Sequence, residues 1–252
     1  MTAPLLTVIV AVAFLLAGFV KGVIGLGLPP VSMGLLAVAM PPTHALALVI
    51  VPGILTNIWQ TFAGPHLPDI IRRLWPLMLG LAVGTRLNAG MITGPYARYA
   101  PIVLGIMLVI YAVVGLRKFV FTVGRPNEKW IGGIVGLISG AISAATGVQV
   151  IPSMPYLQAI DMKREEFVQA LGVFFTVGTL ALAFNLTAAG LLDESTALPG
   201  VVALACSLTG MAIGQAVRAR LAPEVFRRWF LISMIWLGIY LAVTATYEIC
   251  FA

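Results

Sequence analysis

The chain has 252 residues, of which 60% are hydrophobic and only 10% charged, with a mean hydropathy of +1.04. A soluble domain of this size carries about 25% charged residues, so this chain cannot cover a globule with polar surface, and its solvent is lipid. The net charge of +6 does not point to a nucleic-acid partner. The basic residues stand at the ends of apolar runs, among them Arg72, Arg73, Arg117, Lys118, Arg125, Lys129, Arg218, Arg220, Arg227 and Arg228, where topology signals of membrane proteins are found.

A helix needs roughly 20 apolar residues to cross the hydrocarbon core. The first run, Leu5–Leu28, has no basic segment before it and no small-residue cleavage site after it, which predicts a retained span and not a removed signal. His44–Phe62 follows and carries Asn57 and Gln60; Leu74–Ile92 carries Thr85, Arg86 and Asn88; Tyr99–Leu116 closes the first half. The second half supplies Trp130–Ile151, Phe167–Leu191, Leu198–Val217 and Trp229–Tyr247. These runs are continuously apolar, without the alternation of barrel strands. Helices are then the way to satisfy the backbone internally. The expected fold is an all-α integral membrane protein with about eight transmembrane helices.

The halves resemble each other. Gly18-Phe-Val-Lys-Gly22 matches Gly136-Leu-Ile-Ser-Gly140, and Gly25 and Pro30 match Gly147 and Pro152. Further on, Val83-Gly84 matches Ile213-Gly214, and Tyr96-Ala-Arg98-Tyr99 falls on Phe226-Arg-Arg228-Trp229. The ordered series predicts two repeats of about four helices, residues 1–124 and 125–252, forming one membrane domain. Duplicated transporters place their substrate site between the repeats.

Each half has one Gly–Pro element, Gly18 to Pro30 and Gly136 to Pro152, followed by a short apolar stretch, Val31–Met40 and Ser153–Ile160. Glycine and proline weaken a regular helix, and ten residues of helix reach about 15 Å, half the core. The pattern predicts helices that break near mid-membrane or re-enter. Freed backbone groups can then line a polar cavity, and a half-helix N-terminus favours an anion. The bland alternative is close helix packing through small residues.

These paired elements, the short segment after each and the closing basic stretch resemble the sulfite exporter TauE/SafE family, also called the TSUP transporters, over nearly the whole chain. The resemblance implies a duplicated unit of about four helices and movement of sulfite, sulfonates or related sulfur-containing anions across the bacterial inner membrane. The family often has a glycine run before the proline. This chain has Gly25-Leu-Gly27-Leu-Pro29-Pro30 in one half and only Gly147-Val-Gln149 in the other, so a side-chain amide at Gln149 stands where backbone contacts are expected.

Ionisable residues inside spans are costly and mark function. Lys21 and Arg86 are the two candidates, either able to attract an anion. The candidate substrate-binding set is Lys21, Gly22, Gly25, Gly27, Pro30, Asn57, Arg86, Ser143, Thr146, Gly147, Gln149 and Pro152, with Gln60, Ser139, Thr176, Thr179 and Asn185 as further polar groups. No carboxylate falls mid-span in the sequence, and no nucleophile–base pair, HExxH, CxxC or P-loop occurs. The expectation is therefore a transporter and not an enzyme, with no cofactor and no metal. Its partners are a small anion and the bilayer, and assembly into a homo-oligomer stays open. The competing readings are a carboxylate transporter and a non-transport anchor subunit, the latter leaving the paired breaks unexplained. The orientation depends on parity. Eight simple crossings divide the basic clusters almost evenly, whereas an odd number per half gathers the strongest ones on one side.

Overall fold

A computed structural model of the chain describes residues 3–91, 94–117, 122–192, 194–218 and 223–251. Among these residues it is helical, without strands: α1 Ala3–Ile24, α2 Leu28–Leu36, α3 Pro42–Phe62, α4 Leu67–Leu87, α5 Ala100–Arg117, α6 Arg125–Thr146, α7 Ser153–Ala159, α8 Arg164–Ala188, α9 Glu194–Arg218 and α10 Pro223–Phe251. Proline in the first turn opens α2, α3, α4 and α6, where its missing N–H is no loss. Gly147, at φ 72°, closes α6, and its N–H bonds the Ser143 carbonyl at 2.8 Å in the left-handed cap that glycine adopts without strain.

Among the described residues seven helices are long and apolar enough to cross a membrane: α1, α3, α5, α6, α8, α9 and α10. The eighth expected span, α4, is 21 residues long but carries Asp69, Arg72, Arg73 and Arg86, which lower its hydropathy. The perimeter is apolar; Trp59, Trp130 and Trp236 are each at least 70% exposed, as befits a surface solvated by lipid. The chain is a multi-pass membrane protein.

Contacts fix the directions of the helices. Gly18 and Gly22 of α1 meet Ser207 and Met211 of α9, so these run parallel, and Gly136 and Gly140 of α6 meet Leu77 and Leu81 of α4 in the same sense. Gly53 of α3 faces Thr179 and Gly172 of α8 faces Thr61, so α3 and α8 are antiparallel. Gly105 and Gly115 of α5 face Gly238 and Leu231, so α5 and α10 are antiparallel too. The short connections α3–α4 and α8–α9 reverse the chain. It follows that α1 and α3 point the same way, and so do α6 and α8. The intervening segments must carry the chain back, as α2 does in running alongside α10, with Gly27 against Phe230 and Gly34 against Leu237. The α1–α2 and α6–α7 segments are thus hairpins that leave from and return to opposite ends of the bundle. Each Gly–Pro element is the bend of one hairpin.

The two parallel crossings are built alike. A Cβ added to Gly18 or Gly22 would overlap the carbonyl oxygens of Ser207 or Met211; one added to Gly136 or Gly140 would overlap those of Leu77 or Leu81. From the other side Gly210 and Gly214 press on Leu15 and Phe19, as Gly80 and Gly84 press on Gly133 and Leu137. Such approach is open only to glycine, the small-residue packing of membrane helices. At one end of the bundle Arg73 clamps three elements. Its Nε and Nη2 donate to Glu128 Oε2 and Oε1, both at 2.8 Å, Nη2 also donates to the Ile160 carbonyl, and Nη1 lies 3.6 Å from Glu166. The bidentate geometry is the strong form of the ion pair.

Candidate functional site

The buried polar centre begins at Lys21. It sits one turn before the first bend, where the Gly25 N–H bonds the Lys21 carbonyl at 2.8 Å, and its side chain turns inward onto α3. Only 7% of the residue is exposed. Nζ donates to Thr56 Oγ1 at 3.0 Å and to Asn57 Oδ1 at 2.7 Å. Thr56 is free to accept because its own proton goes to the Pro52 carbonyl at 2.7 Å. Among the described residues Lys21 has no carboxylate in ion-pair range. A buried cation without a counter-charge is destabilising unless something anionic joins it.

From Lys21 the polar contacts continue into the second half. Asn57 Nδ2 donates to Thr179 Oγ1 at 3.4 Å, and Thr179 donates to the Phe175 carbonyl at 2.7 Å. That same carbonyl accepts from Gln149 Nε2 at 3.4 Å. One chain of hydrogen bonds therefore joins the bend of one hairpin to that of the other through a single turn of α8. Gln149 is buried, and its Oε1 has no hydrogen-bond partner among the described residues; nor do Ser139 Oγ, Ser143 Oγ and Asn185 Oδ1. Ser139 and Ser143 share one face of α6. Buried polar atoms without partners are rare and call for a reason; a bound ligand is one.

Gly178 holds this arrangement open. A Cβ there would coincide with Gln149 Oε1. Gly178→Ala is expected to swing the Gln149 amide away, break its bond to the Phe175 carbonyl and lower transport up to about tenfold, the scale of one lost hydrogen bond. The protein should stay folded, because a side-chain end can move where a backbone cannot. Flux in proteoliposomes beside a melting curve checks this; unchanged flux would separate Gln149 from the site.

The remaining expectations divide. Thr146 serves its own bend, donating to the Ile142 carbonyl at 2.8 Å and accepting from the Val148 N–H at 3.1 Å. Gly25, Gly27 and Gly147 have positive φ, 79°, 108° and 72°, so they shape the bends; a Cβ at Gly25 would meet nothing within 4 Å. Gly22 belongs to the α1–α9 crossing. Pro30 is buried in the first turn of α2, and Pro152 is the residue before α7. The expected anion site at a half-helix N-terminus is weakened by composition. Pro29 and Pro30 occupy that turn of α2 and have no N–H to offer, while α7 spans only seven residues. Gln60 donates to the Val168 carbonyl at 2.8 Å, Thr61 pairs with Thr176 at 3.1 Å, and Asn185 donates to the Thr85 carbonyl at 2.9 Å.

Arg86 is not part of the centre. It is exposed at the last turn of α4, its guanidinium 5.6 Å from the Phe184 ring centroid. The sequence run continues to Ile92, but the helix stops at Leu87, so a residue counted as deep lies at the end. Arg86→Gln should leave flux within about twofold of wild type, as surface substitutions do. Thr56 and Gly178 were not foreseen; their adjacency to Asn57 and Thr179 was the available signal.

A family model described as sulfite exporter TauE/SafE matches residues 10–241. The chain belongs to the sulfite exporter TauE/SafE family. It is thus a member of a membrane transporter family, and the match takes in both hairpins and the whole buried polar chain. No curated protein and no solved structure matches this TauE/SafE member.

Proposed function

We propose that this TauE/SafE member exports small sulfur-containing anions, such as sulfite or organosulfonates, across a bacterial inner membrane. The reading has the halves 1–124 and 125–252 act as inverted repeats, alternately exposing a site at the Lys21–Gln149 chain to either side. One observation carries it: a buried lysine without a carboxylate, joined by a chain of hydrogen bonds to the Gln149 amide of the other bend. An anion would take the third Lys21 proton, and Ser139 and Ser143, whose hydroxyls lack partners among the described residues, are further donors in this reading. The matched glycine crossings support the repeat, since inverted repeats generate such pairs of interfaces.

Orientation supports export. With α2 and α7 returning, Arg72, Arg73, Arg117, Arg125, Lys129, Lys163, Arg164, Arg218, Arg227 and Arg228 gather at one end of the bundle, against Arg86 and Arg98 at the other. The basic end is cytoplasmic by the positive-inside rule, which puts both chain ends outside. A potential negative inside drives an anion outward with about 2.3 kcal/mol per charge per 100 mV.

The test is flux in proteoliposomes with sulfite, an alkanesulfonate and lactate, under an imposed potential without a pH gradient and, separately, under a pH gradient without a potential. Sulfite or sulfonate flux is expected to follow the potential. Movement of lactate alone would reject the sulfur assignment, and flux that follows only a pH gradient would reject the potential-driven mechanism.

A further inference from the structure

A second cation, Arg227, lines a cavity beside the first bend. At the basic end of the bundle a cavity of about 170 Å³ opens between the end of α5, the start of α10, α7 and the start of α8. It reaches Leu26, inside the first bend, and Ile151, beside the second, so both hairpins form its floor. Its wall carries three polar side chains, Tyr111, Gln158 and Arg227. Arg227 is half-buried; its Nη2 donates to the Gly115 carbonyl in one long bond of 3.4 Å, and it enters no ion pair among the described residues. The wider groove outside, lined by Glu224 and Arg228 as well as Arg227, keeps a positive balance.

We infer that this cavity is a loading vestibule for a small oxyanion, with Arg227 as the capturing cation. A guanidinium grips a sulfonate- or sulfite-type group with two parallel N–H donors, and Arg227 has donors to spare. The size fits. Pockets for drug-sized ligands run to about 300–1,000 Å³, and this one is smaller, suited to a compact anion. Its place fits too, because Leu26 separates it from Lys21 by little more than one helical turn of chain. An anion held at Arg227 passes to a second cation behind the first bend. The inference rests on the export reading for its direction, but its charge selectivity does not depend on the cargo.

The experiment uses the full chain with Cys206→Ala and Cys250→Ala, plus Gln158→Cys, in inside-out membrane vesicles. The introduced thiol is labelled with a sulfonate-bearing and with a trimethylammonium-bearing methanethiosulfonate. The rate ratio should favour the anionic reagent. Arg227→Gln should lower that ratio at least about tenfold, since one nearby charge at an effective dielectric of about 20 acts on the two reagents in opposite senses, while Arg227→Lys should largely retain it. A ratio indifferent to Arg227→Gln, a ratio lost equally in Arg227→Lys, or a thiol labelled only in right-side-out vesicles overturns the vestibule. Sulfite flux is measured in parallel. An Arg227-dependent ratio without sulfite flux keeps the vestibule and rejects the cargo; sulfite flux with an indifferent ratio does the reverse.

Discussion

Lys21→Met is expected to reduce anion flux by about 10- to 100-fold while leaving the protein as stable as before, or more so. A hydrogen bond to a charged group contributes about 1.5–3 kcal/mol, and each 1.4 kcal/mol is tenfold. Methionine matches the length of the lysine stem and removes a buried charge that has no carboxylate beside it. Replacing an unpaired buried charge by a well-packed apolar side chain is often stabilising. The loss of two donors to Thr56 and Asn57 offsets part of that gain. The two measurements therefore move apart: flux falls and the melting temperature holds. If both collapse together, Lys21 is a structural residue. If neither changes, the anion does not meet it.

The second large effect concerns packing. Gly136→Ala should lower the melting temperature by about 2–12 °C, and Gly18→Ala should match it. In each case the new methyl group overlaps a backbone carbonyl, of Leu77 or of Ser207, which cannot rotate aside as a side chain can. Forcing the helices apart costs about 1–3 kcal/mol or more, and about 1 kcal/mol shifts the midpoint by 2–4 °C in a chain of this size. Gly90→Ala is the control, because a Cβ there meets nothing within 4 Å. Equal shifts at Gly18 and Gly136 favour a duplicated architecture; a shift at one alone argues that the two crossings differ in strength.

Much of the buried polar chain was legible because its signals are local. A lysine inside an apolar run, a Gly–Pro bend and a glutamine in place of a glycine are each unusual within a few residues of sequence. Lys21 and Gln149 stand out in that way and Asn57 as a polar residue within a span, and the structure joins the three in one buried chain of hydrogen bonds. What was not legible depends on direction. No local pattern says that Gln149 reaches the Phe175 carbonyl and not solvent, or that Gly178 leaves room for it. Arg86 misled for a related reason: an apolar run gives no sharp end to a helix, and Leu87 is the last helical residue. Among the described residues seven spans, not eight, stand out by apolarity, because the first turns of α4 carry Asp69, Arg72 and Arg73. Those charges are tolerated because Arg73 pairs with Glu128 across to α6, a contact between elements far apart in sequence. The division of basic residues was undecidable until the two hairpins fixed the parity.

The parallel crossing of α1 with α9 has a consequence for biogenesis. The glycine face of α1 is made first, and the surface it fits, around Ser207 and Met211, is made almost last. While α2 to α8 are synthesised, that face has no protein partner and meets lipid or the insertion machinery. Contacts so distant in sequence form slowly. The second crossing, α4 with α6, joins near neighbours and can close early. A chain stalled before α9 would thus hold one finished crossing and one open seam, a ready target for quality control in the membrane.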